Sequence, residues 1–144
     1  MQMRFLNSII LLLLVSCKIP AGSETTTLDL SNQNLTTIPD SVFSLKRLEY
    51  LNLGNSFTMY PPLSALHQEG PSGDRMNQIR QVPDEISRLT NLKTLILCAN
   101  DLRSLPTGIV ELKHLDTLDI SFNMHLTVSK EFSTLKKIHW LKYL

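Results

Sequence analysis

The feature that most constrains this chain is a spacing that returns every 23 residues. Residues 92–114 read LKTLILCANDLRSLPTGIVELKH, with Leu or Ile at places 1, 4, 6, 11, 14, 18 and 21, Asn100 at place 9 and Pro106 at place 15. Residues 115–137 repeat the frame through Leu115, Leu118, Ile120, Asn123, Val128, Phe132 and Leu135. Residues 25–47 fit it through Leu28, Leu30, Leu35, Ile38, Pro39, Val42 and Leu45, with Thr25 and Gln33 where Leu and Asn are expected. A unit this short cannot bury its own apolar side chains, so successive units must stack.

Each place has a physical task. The LxxLxL portion predicts a short strand whose side chains at places 4 and 6 point inward while their neighbours point out. Stacked strands then form a parallel sheet with about 4.8 Å between neighbours. Asn at place 9 stands where the chain turns, and its amide can bond backbone groups from coil to coil. Proline at place 15 suits the first position of a short helical turn, where no N–H is needed. This pattern resembles the leucine-rich repeat of the proline-containing, 23-residue type. The resemblance implies an α/β solenoid of about four coils, with a short parallel sheet on the concave side and short helical turns on the convex side. It also implies a protein partner held on the concave side.

One coil is broken. Leu48, Leu51 and Leu53 occupy places 1, 4 and 6, Asn55 stands at place 8, and the frame then fails. It resumes at NQIRQVPDEISRLTN with Asn77, Ile79, Val82, Pro83, Ile86 and Leu89. Residues 48–55 joined to 77–91 complete one 23-residue coil, which makes 56–76 an insertion of 21 residues. The alternative is an extra coil with EGPSGDRM as its strand. It would bury Glu69, Ser72 and Asp74, at several kcal/mol per unpaired acid on the order-of-magnitude scale of such transfers, and Gly70, Pro71 and Gly73 suit a strand badly. The insertion is therefore read as a loop, either a flap beside the sheet or a tolerated addition.

The two ends carry separate expectations. Residues 1–17 read as a secretory signal, with Arg4 and then an apolar run from Ile9 to Val15 that is too short to span a bilayer. Leu14-Val15-Ser16-Cys17 resembles the bacterial lipobox, which implies lipidation of Cys17, residues 18–24 as a linker, and a lipid anchor at the bacterial cell envelope. An ordinary signal cleaved near Ala21-Gly22-Ser23, giving a secreted protein, is the alternative. At the other end Ile138, Leu141 and Tyr143 match places 1, 4 and 6 of a partial fifth strand, residues 138–144. A strand left bare there would offer a sheet edge for self-association. Packing of KEFSTLKKIHWLKYL as a helix over the open end is the other option, since the repeat and a helix share the same apolar spacing.

Composition and motifs narrow the function. With 14 Lys+Arg against 13 Asp+Glu, the chain lacks the basic surplus that phosphate binding needs, so nucleic acid is a poor partner. No nucleophile elbow, zinc-binding helix motif or glycine-rich phosphate loop is present, and no cofactor is implied. His67, His114, His125 and His139 fall at unrelated places and suggest no metal site, and Cys98 has no positioned His to activate it. The chain therefore reads as non-enzymatic. A recognition fragment of a larger enzyme, such as a bacterial effector ligase, and a self-associating structural envelope protein are the rival readings. The informative surface is the outward row of the sheet: Glu49, Lys93 and Asp116 at place 2, Tyr50 and Trp140 at place 3, Asn52, Ile96 and Asp119 at place 5. Exposed aromatic and apolar groups among charges suit a rigid recognition surface.

Overall fold

A computed structural model describes residues 24–55 and 76–144. The signal segment, Cys17, the linker up to residue 23 and insertion residues 56–75 lie outside the described residues. Within them four strands of three residues, β1 (Thr27–Asp29), β2 (Tyr50–Asn52), β3 (Thr94–Ile96) and β4 (Thr117–Asp119), form one parallel sheet in chain order. The register advances by one repeat from Thr27 to Tyr50 and from Thr94 to Thr117, whereas Tyr50 pairs with Thr94, 44 residues on. β2 bonds directly to β3, so the two halves of the second coil sit between the first and third coils.

Each of the first three coils returns through a short 3-10 turn that starts just after a proline: Asp40–Ser44 after Pro39, Asp84–Arg88 after Pro83, and Thr107–Glu111 after Pro106. The proline carbonyl accepts the N–H of Val42, Ile86 or Ile109, and these residues turn into the core. Leucines at places 1, 4, 6 and 21 from successive coils make a single continuous interior with most members fully buried. Among the described residues the narrow space between sheet and turns is filled by aliphatic side chains, with Phe43 as the one aromatic member of the core.

Four asparagines are buried with this interior, and their hydrogen bonds explain why. Asn100 donates through Nδ2 to the Leu53 and Leu97 carbonyls and accepts the Ile79 N–H; Asn123 does the same for Leu97, Ile120 and Leu102. Asn77 repeats the scheme, donating to Leu30 and Leu53 and accepting from Gln33 and Leu35. A buried amide that fills all its sites links coils without the cost of an orphaned polar group. Asn55, just before the break, completes the junction by bonding Asn77 and the Ala99 carbonyl.

The last coil departs from the expected frame. Its convex side is an α-helix, α1 (Val128–Leu135), rather than a 3-10 turn. Place 15 of this coil is Ser129, not proline. An α-helix advances about 1.5 Å per residue against about 2.0 Å in a 3-10 helix, so more residues are needed to cross the same distance. Ile138 accordingly does what Leu112 does one coil earlier, its carbonyl accepting the N–H of Leu141 as Leu112 accepts that of Leu115. Lys142 and Tyr143 both donate to the Asp116 carbonyl, as Asp116 and Thr117 donate to that of Lys93. The fifth strand is thus a single bridge, Thr117 with Tyr143, and its frame starts three residues later than the sequence spacing implies. Phe132, expected in the core at place 18, is 56% exposed, with the Lys136 ammonium 5.2 Å from its ring centre.

A candidate protein-binding face

Alternation along each strand builds the candidate site. Leu28, Leu51, Leu95 and Leu118 point into the core, and the residues on either side of each point out. Glu49, Tyr50, Asn52, Lys93, Ile96, Asp116 and Asp119 come together on this outward face, each exposed or half-buried. Trp140 does not. The three-residue displacement carries it off the sheet to the end of the coil, where its indole N–H donates to the Leu112 carbonyl at 2.8 Å and Lys113 lies 4.6 Å from the ring centre. His139 packs edge-on beside it rather than standing at place 2. The same displacement puts Tyr143, expected inward, on the outward row with 68% exposure, and moves Lys142 from place 5 to place 2. The missing proline at place 15 was the sequence signal for this change.

The face is ordered in rows. At place 2, Lys93 pairs with Glu49 at 2.8 Å and Lys142 with Asp116 at 3.1 Å, so charges of opposite sign neutralise one another along the row. At place 5, Asp29, Asn52 and Asp119 each turn one side-chain oxygen to the N–H two residues on, belonging to Ser31, Gly54 and Ser121. These local turns fix the side chains at the strand ends. Between them lie Tyr50, Ile96 and Cys98, all half-buried. Gly54 makes that packing possible: a Cβ there would stand 2.7 Å from Cys98 Sγ and 3.0 Å from Ile96 Cγ2.

Neither ionisable group at the centre is set up for chemistry. Burial raises the Tyr50 phenol above its ordinary value, helped by the Asp29 carboxylate and by Cys98. Burial likewise raises the Cys98 thiol, with Asp119 adding to it, and the thiol donates to the Asn55 carbonyl at 3.7 Å. Both stay neutral near pH 7, which makes Cys98 a packing residue rather than a nucleophile. Among the described residues no group of His, Cys, Asp and Glu is arranged to hold a metal ion.

Comparison with known proteins agrees with this architecture. Residues 24–45 match the family model described as Leucine Rich Repeat. The chain is 37% identical over 92 residues to leucine-rich repeat-containing protein 66 of Mus musculus, an alignment covering 62% of this chain and 10% of that protein. Its fold matches that of a leucine-rich repeat protein of Leptospira interrogans with a TM-score of 0.63 at 24% identity, over 88% of this chain and 28% of the other. The chain thus spans a small part of the length of each. Its fold is the leucine-rich-repeat solenoid, and residues 24–45 match the repeat's family model.

Proposed function

We propose that this chain is a non-enzymatic module that binds a protein partner on the outward face of its sheet, and that it is exported and held at the bacterial cell envelope by a lipid on Cys17. The observation that carries the binding reading is a rigid row of side chains, Tyr50, Asn52, Ile96 and Asp119, fixed by strand pairing and by the turns at place 5. A surface already held in its binding conformation loses little freedom on docking, so a few contacts suffice. The lipobox-like Leu14-Val15-Ser16-Cys17 supports the anchor.

Photoreactive residues at Ile96 and, as control, at Glu111 on the opposite side test the binding reading in cells. Cross-links to a protein from position 96 and none from 111 are expected; the reverse pattern would exclude the face. For the anchor, Cys17→Ala is expected to move the protein from the membrane fraction to the soluble one. Continued sedimentation with membranes would remove the lipid.

A second reading, self-association at the C-terminal edge, is favoured by the exposed Phe122, Met124, Tyr143 and Leu144. Phe122, Met124 and Leu144, together with Ile120, Ser121, Asn123 and Leu126, line an apolar hollow of about 380 Å³. Sedimentation of the chain from residue 18 onward at micromolar concentration checks it, and a monomer would exclude it.

A further inference from the structure

The charges of this molecule are sorted across the direction of the strands. At the rim that leads into the sheet stand Lys46, Arg47, Lys93, Lys113, His114 and Lys142. From place 3 to place 9 of every described coil there is no Lys, Arg or His at all, although the chain as a whole carries 14 Lys+Arg against 13 Asp+Glu. That band contains two carboxylates, Asp29 on β1 and Asp119 on β4. Among the described residues neither joins an ion pair; Asp29 accepts the Ser31 N–H on Oδ1, Asp119 accepts both the N–H and the hydroxyl of Ser121 on Oδ1, and each keeps its charge at the surface. The acids at place 2 differ, because Glu49 and Asp116 are matched by Lys93 and Lys142.

Between these two carboxylates the surface carries no charge: Asn52 and Ile96 lie directly between them on the place-5 row, with Tyr50 and Cys98 beside them. We infer that the face takes a basic peptide segment, its apolar middle on Tyr50 and Ile96 and a Lys or Arg on either side of that middle paired with Asp29 and Asp119. This rests on the reading of the sheet face as a protein-binding surface and adds the chemistry of the partner. Strands β1 and β4 are three spacings apart, about 14 Å, which an extended chain crosses in about four residues. The two bases should therefore lie about four positions apart. At that separation the carboxylates cannot share a metal ion, and their sign repels a phosphate backbone.

The test uses two short synthetic peptides with the same apolar middle, one flanked by Lys at that spacing and one by Glu, titrated into the chain from residue 18 onward at low ionic strength. The lysine peptide should shift the backbone amide signals of Tyr50–Asn52 and Thr94–Ile96. The double variant Asp29→Asn, Asp119→Asn keeps the oxygen that caps each turn, and should bind it roughly five-fold more weakly with a flatter salt dependence. Equal binding by that variant, or no shift of these amides by the lysine peptide, would overturn the proposal. Glutamate-peptide binding at the same amides would also overturn it while leaving the face a protein-binding surface. A Tyr50→Ala, Ile96→Ala variant separates the two failures. If it still co-purifies with every protein that position 96 cross-links in the otherwise unchanged chain, the reading of the face itself falls.

Discussion

Asn55 and Asn77 hold each other across the break in the second coil: the Asn77 N–H donates to Asn55 Oδ1 at 2.7 Å, and Asn55 Nδ2 donates to the Asn77 carbonyl at 2.8 Å. Both side chains are buried and both also bond other coils. The coil is therefore closed at the point where the insertion enters and leaves.

This closure predicts that residues 56–76 can be removed by joining Asn55 to Asn77. The shortened chain should keep its circular dichroism spectrum and its unfolding free energy to within about 0.5 kcal/mol, the scale of ordinary surface changes. Loss of the folded signal would mean that the insertion supports the stack. Asn77→Ala in the intact chain should instead cost about 3 kcal/mol in urea unfolding, because it strands several buried backbone partners.

Core and helix substitutions should separate the expected frame from the observed one. Leu118, fully buried, should lose about 2–5 kcal/mol on change to Ala. Phe132, 56% exposed on α1, should lose less than about 1 kcal/mol on change to Ser. Equal losses at the two sites would return Phe132 to the interior.

At the centre of the face, Gly54→Ala should destabilise by about 1–3 kcal/mol through the collision with Cys98 Sγ. Adding Cys98→Ala should recover part of that loss, since the sulfur is then gone. The Ile96 methyl group and the Cys98 backbone N–H, 3.0 and 3.2 Å from the new Cβ, set the remainder. A double variant no more stable than Gly54→Ala alone would assign the clash to the backbone.

Asp84 joins two convex turns, accepting the Gly108 N–H at 2.9 Å and the Thr107 hydroxyl at 3.0 Å. The bond from Gly108, then that from Thr107, lowers its carboxyl below the ordinary 3.8. Unfolding releases it to the ordinary value, so its contribution is complete above that pH and is lost as pH falls through the lower folded value. Asp84→Asn should therefore flatten the acid side of the stability profile and leave the neutral-pH slope unchanged. An unchanged acid limb in thermal melts would show that the bonds do not couple to folding.

Much of this structure is written in local pattern. Places 4 and 6 of each coil are buried because a strand alternates, and Asn at place 9 is buried because a turning chain must satisfy its backbone. Tyr50, Asn52, Ile96 and Asp119 share a face for the same reason, which a period and a strand phase suffice to specify. The direct pairing of β2 with β3 was the outcome expected from a frame that resumes in phase at Asn77, although the spacing also allowed an extra coil between them.

The end of the solenoid was not legible in that way. Phe132, Leu135, Ile138 and Leu141 recur at a spacing that a repeat and a helix share, so periodicity alone cannot choose between them. Packing chose: α1 fits against the turn at Thr107–Glu111, Ile138 fills the position below Leu112, and the frame advances three residues. Sequence determined that the coils stack and which way their side chains point, because those follow from each unit's own alternation. Tertiary structure decided that Tyr143 rather than Trp140 ends the outward row, because the number of residues needed to cross the convex side depends on the helix formed there.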